Sequence, residues 1–99
     1  MYIIVFNSDE IWRSIDFYDY LSEKVNGYGL GVAKCSDNTF LVPSDEDITI
    51  DYLEKITDEY ISGYTDGYKP ECAFVSEITK NTRCIRGGQK FAKWLEKNN

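Results

Sequence analysis

The chain has 99 residues, 42% apolar and 15% aromatic, with seventeen acidic residues, eleven basic ones and no histidine, for a net charge of −6. That length suits one domain spanning 1–99, able to bury about two thirds of its unfolded surface, and the apolar content excludes the intrinsically disordered class. Cys35, Cys72 and Cys84 are odd in number and lack CxxC spacing, so with histidine absent they point to neither a disulfide framework nor a zinc site, but to reduced thiols in a cytoplasmic protein.

The opening run Tyr2 to Phe6 has no basic flank and is too short for a signal segment or a membrane span. Its β-branched and aromatic residues predict a buried strand, central because both faces are apolar. Ser8 is placed to cap a first helix with Asp9 and Glu10 in its first turn, where the helix dipole favours negative charge. Ile11, Ile15, Tyr18, Leu21 and Val25 then form one apolar stripe, and Asn26-Gly27 ends it.

Residues 27–43 hold two extended runs about Ser36-Asp37-Asn38, which predicts a β-hairpin stopped by Pro43 and Ser44. A second helix starts near Ser44 or Thr49 and runs to about Gly63, with Leu53, Ile56, Tyr60 and Tyr64 aligned. After a loop rich in Gly, Asp and Pro, "CAFVSEI" predicts a further strand. A basic connector then leads to a short last helix carrying Phe91, Trp94 and Leu95, expected to cover an open sheet edge. The order is β-α-β-β-α-β plus a C-terminal basic loop and helix. It is most naturally an α+β, ferredoxin-like sandwich with an antiparallel sheet and both main helices on one face.

"MYIIVFN" with its following helix, "NTFLVPSDEDIT", "ECAFVSEIT" and "KWLEKN" resemble the small ferredoxin-like proteins of the CRISPR-associated endoribonuclease type and their SinR-like relatives. The resemblance covers most of the chain and implies a homodimer. It also implies a magnesium site built from an aspartate at the end of the first strand of each subunit, serving a phosphodiester nuclease. The matching residue here is Asn7, a neutral amide and a poorer ligand for a hard divalent cation, with Asp9 two residues further on.

Charge is uneven along the chain: residues 1–77 sum to −11 and residues 78–99 to +5. On the second helix Asp51, Glu54 and Asp58 share a flank when Leu53 faces the core; on the first, Asp9, Asp16, Asp19 and Glu23 form a row beside Trp12 and Tyr20. Like charges at these spacings destabilise a helix by roughly 0.2–0.5 kcal/mol per pair. A solvated, solubility-promoting face is the ordinary explanation of an acidic run. Two such rows, accompanied by eight tyrosines and two tryptophans, instead favour a protein-binding surface. Side by side, the two helices are expected to merge their rows into one acidic face with aromatics interleaved.

Such a face repels phosphates and attracts a basic protein. The leading expectation is a non-catalytic interaction protein that needs no cofactor and no metal. It would act as an inhibitor or DNA mimic occupying the basic site of a nuclease, restriction factor or nucleic-acid-binding protein. In size and charge it is similar to small acidic phage anti-restriction proteins and nuclease inhibitors. The alternative, following the family resemblance, is a divalent-metal phosphodiesterase using Asp9 with Asn7 across a dimer interface; a third is a toxin-neutralising immunity protein. "GYGLG" at residues 27–31 follows a helix and so is no dinucleotide fingerprint. In the basic tail Lys80, Arg83 and Arg86 are expected to neutralise the acidic body, and Cys84 is read as structural.

Overall fold

The computed structural model describes the backbone of residues 1–7, 11–26, 31–36, 38–63, 72–78 and 88–98, and their side chains except at 6–7, 11–15, 26 and 72. Its elements are β1 (Tyr2–Asn7), α1 (Ile11–Asn26), β2 (Ala33–Ser36), β3 (Thr39–Val42), α2 (Ile50–Ser62), β4 (Cys72–Glu77) and α3 (Gln89–Asn98). The strands form one antiparallel sheet in the order β2-β3-β1-β4. Its two crossovers interleave: β3 lies between β1 and β2, and β1 lies between β3 and β4. The chain is therefore a small α+β protein, with β1 central as its two-sided apolar pattern requires.

The period-two alternation of the strands sorts the apolar residues onto two faces. Ile4 sits opposite Phe40 on one neighbour and Val75 on the other. With Val42 they meet Phe17, Leu21 and Val25 from α1 and Leu53 and Ile56 from α2 in the larger core. The next residue along, Ile3, pairs with Leu41 and turns to the opposite face, where Met1, Ala33 and Leu41 pack with Leu95, Phe91 and Trp94 of α3. So α1 and α2 share one face and α3 lies on the other.

Local signals set the boundaries. Thr49, extended at φ −116° and ψ 160°, caps α2 by accepting the Tyr52 N–H at 3.1 Å. Of the two starts expected for this helix, Thr49 is the one used. Ser44 instead accepts a hydrogen bond from the Met1 amino group. In the β2–β3 hairpin the Asn38 side chain accepts from Ser36 Oγ at 2.9 Å and Thr39 Oγ1 at 3.3 Å, and a register irregularity lies between Lys34 and Ser36.

Two sequence expectations need correction. The inward stripe of α1 includes Phe17, fully buried, while Tyr18 is only half-buried at the stripe's margin. Phe17, Leu21 and Val25 at steps of four point straight at the sheet, and the Phe17 ring meets Phe40 edge-on at 5.1 Å. The α3 residues also do something other than cover an edge: they close a sheet face toward β2, where Trp94 Nε1–H donates to the Gly31 carbonyl at 2.9 Å. The helix cap expected at Ser8 with Asp9 and Glu10, the end of the second stripe at Tyr64, and Lys80, Arg83, Cys84 and Arg86 lie outside the described residues.

Candidate functional site: an acidic helical layer and its flanking groove

The helices α1 and α2 meet along a seam of tyrosines. Tyr20 donates its hydroxyl to the Ile56 carbonyl at 3.1 Å, and its ring lies 4.9 Å from that of Tyr60. Tyr52 reaches back across the seam to the Lys24 carbonyl at 3.4 Å. That carbonyl belongs to the last turn of α1, where no intrahelical N–H remains to satisfy it, so Tyr52 acts as a cap from the neighbouring helix. Lys24 Nζ lies 5.3 Å from the centre of the Tyr20 ring. Burial, then the Glu59 carboxylate and Tyr52, push the Tyr20 hydroxyl pKa up from its ordinary value. The aromatic expected to contact a partner, Tyr20, is thus engaged in holding the helices together. Trp12 lies in α1 with its side chain outside the described residues.

Of the carboxylates singled out from sequence, six are exposed: Asp16, Asp19 and Glu23 on α1, and Asp51, Glu54 and Asp58 on α2. They do not merge into one face with aromatics between them. At about 100° per residue, Asp16, Asp19 and Glu23 stand roughly 140–160° from Leu21 and point outward to solvent. Tyr52 and Glu59 occupy the side of α2 that faces α1, whereas Asp51, Glu54 and Asp58 turn the other way. There they line a groove of about 450 Å³ between α2 and the sheet edge β4. The two rows share a layer but flank it on different sides of the tyrosine seam.

Charge is segregated across the sheet. Against these carboxylates and Glu59, the described side chains of α1 and α2 set Lys24 and Lys55, while α3 across the sheet carries Lys90, Lys93 and Lys97 against a single carboxylate, Glu96. The tight turn before α2 adds exposed Glu46 and Asp47; Asp45 Oδ1 accepts the Asp47 N–H at 2.9 Å, and the Asp45 carbonyl accepts the Ile48 N–H at 3.1 Å.

The groove beside β4 was missed by sequence reasoning. Its floor includes Thr57, 4% exposed, whose Oγ1 has no hydrogen-bond partner among the described residues. Phe74 lies on its rim and is 48% exposed. The available signals were a threonine on the inward side of an amphipathic helix and a phenylalanine alternating with small residues in "CAFVSE". Neither indicates by itself that β4 lies at an edge.

Among the described residues no group of three His, Cys, Asp or Glu side chains is placed to hold a metal ion. Asn7 ends β1 opposite Cys72, and Asp9 lies outside the described residues. A neutral amide at that position does not fit the shared magnesium site implied by the family resemblance. Cys35 is a free thiol on the exposed end of β2, where partial desolvation of the sulfur pushes its pKa up and disfavours the reactive thiolate. No described helix is long and apolar enough to cross a membrane. No protein-family model matches the chain, and neither a curated protein nor a solved structure shows significant similarity to it.

Proposed function

We propose that this protein is a non-catalytic, acidic interaction protein on a ferredoxin-like scaffold, whose helical layer occupies the basic, nucleic-acid-binding site of another protein. The strand order β2-β3-β1-β4 with two interleaved β-α-β crossovers, and α1 and α2 together on one face, supports the scaffold assignment. The observation that carries the function is the segregation of charge. Carboxylates are exposed on both α1 and α2, and the lysines of α3 stand across the sheet from them. Such a layer presents carboxylates from both helices to a cationic partner, and its field speeds encounter with it.

Each carboxylate is solvated, so each contributes little alone; an exposed ion pair stabilises by about 0.2–1 kcal/mol. Affinity on this reading comes from the row acting together and falls with added salt, because the Debye length shrinks from about 30 Å at 0.01 M to about 3 Å at 1 M. The test is affinity capture from a cell lysate with the wild type and with Asp51→Lys/Glu54→Lys/Asp58→Lys, at low and at high salt. The triple variant is expected to keep its circular dichroism spectrum and lose its partner. Undiminished capture by a folded triple variant contradicts the proposal.

A further inference from the structure

We infer that the groove between α2 and β4 receives an extended basic peptide segment of the partner, which adds to the sheet as a fifth strand beside β4. This inference rests on the acidic-layer reading above and names the form of partner that its α2 row takes. Three independent features converge there. Asp51, Glu54 and Asp58 line one wall with Lys55 beside them, leaving that wall net anionic. Strand β4 has β1 on one side and no described strand on the other, so its outward N–H and C=O groups form a row with no described ladder partner. Thr57 places a buried hydroxyl with no partner among the described residues in the floor, and buried polar groups of native proteins are ordinarily paired. The volume, about 450 Å³, falls within the roughly 300–1,000 Å³ of ligand-binding clefts.

The spacing specifies the peptide. Asp51, Glu54 and Asp58 climb α2 in steps of about 4.5 and 6 Å, at ~1.5 Å per residue. Same-face residues of an added strand lie about 6.7 Å apart. Two lysines or arginines at i and i+2 therefore meet the three carboxylates. The residue between them turns to the opposite sheet face, beside exposed Phe74, which the register with Val5 places away from α2. The recognised pattern is basic-apolar-basic in extended form, a strand-addition mode in which main-chain bonds give affinity and alternate side chains give selectivity. Charge argues against a second copy of this chain as occupant. Two-fold pairing of β4 with β4 would bring a second carboxylate row against the first.

The experiment is fluorescence anisotropy of a dye-labelled, end-capped peptide of alternating lysine and valine, titrated with the full chain at low salt. Its matched probe carries N-methyl groups on one backbone edge and therefore cannot pair along that edge. The expected result is saturable binding of the unmodified peptide, weakened about fivefold by Glu54→Lys and lost on N-methylation. Glu96→Lys, on exposed α3 across the sheet, changes the affinity by less than about twofold, and peptide binding slows hydrogen exchange of β4 amides. Binding that Glu54→Lys weakens but N-methylation leaves unchanged overturns strand addition and leaves the acidic-layer reading standing. No binding, or binding indifferent to Glu54→Lys, overturns the groove as a peptide site. The acidic-layer reading fails separately, when partner capture survives the triple reversal on α2.

Discussion

Replacing Thr57 by valine removes one hydroxyl and little else. Thr57 is 4% exposed on the inward side of α2, and its Oγ1 finds no partner among the described residues, not even the preceding turn of its own helix. Burying an unpaired hydroxyl costs about 1–3 kcal/mol, and valine fills nearly the same shape without that cost. Threonine and valine have similar helix propensities, so the backbone contributes almost nothing to the difference. Because the residue borders an open groove, the lower end of the range applies, giving a stabilisation of about 1 kcal/mol. For a domain of this size that raises Tm by roughly 4–8 °C. Thermal and urea unfolding followed by far-ultraviolet circular dichroism measure it, with an unchanged urea slope expected because the buried area is the same. The same variant is expected to bind the lysine–valine peptide more weakly, having lost a polar partner in the floor. A Thr57→Val protein no more stable than the wild type refutes the reasoning that the hydroxyl is unsatisfied.

Thr49→Ala removes the only side-chain cap seen at the start of α2 among the described residues and is expected to lower unfolding stability by about 0.5–2 kcal/mol in urea titrations. Tyr20→Phe loses the bond to the Ile56 carbonyl and is expected to cost about 0.5–1.5 kcal/mol at neutral pH by the same measurement. Its pH dependence is the sharper readout. The folded Tyr20 hydroxyl has a pKa raised above 10.0, first by burial, so its contribution is complete below the pKa of the unfolded chain and is lost as pH rises through the folded value. Wild-type stability should therefore fall more steeply above about pH 10 than that of Tyr20→Phe. Phe17→Ala, at a fully buried ring touching Phe40 and Tyr60, should cost about 3–5 kcal/mol and leave the protein marginally folded in the same assay.

Local periodicity made the elements readable. The two-sided apolar run Tyr2 to Phe6 predicted a central strand, Leu53 and Ile56 predicted the inward face of α2, and Ser36 to Asn38 predicted the hairpin turn. Each signal is carried by residues a few positions apart and survives whatever the rest of the chain does. The helical step from Leu53 likewise grouped Asp51, Glu54 and Asp58 on one flank.

What that flank faces was not readable, because it depends on the sheet order. Only the pairing of β4 with β1 turns the row toward the edge of the described sheet instead of toward α1. The tyrosines were misread for a related reason. Their abundance is what a binding surface also has, yet Tyr20, Tyr52 and Tyr60 join α1 to α2 through contacts spanning 28 to 40 positions of sequence, visible only once the helices are side by side. Phe17 was passed over because two stripes, one through position 17 and one through position 18, both align with Leu21 and Val25. The shape of the sheet beneath decides between them.

The claim that the acidic layer stands in for a nucleic-acid backbone is tested most directly by competition on a captured partner. A labelled DNA duplex is bound to that partner and the protein is titrated in at increasing salt. The wild type is expected to displace the duplex, less so as salt rises, and Asp51→Lys/Glu54→Lys/Asp58→Lys to displace none. A stable ternary complex, with the partner holding the duplex and this protein at once, would contradict it.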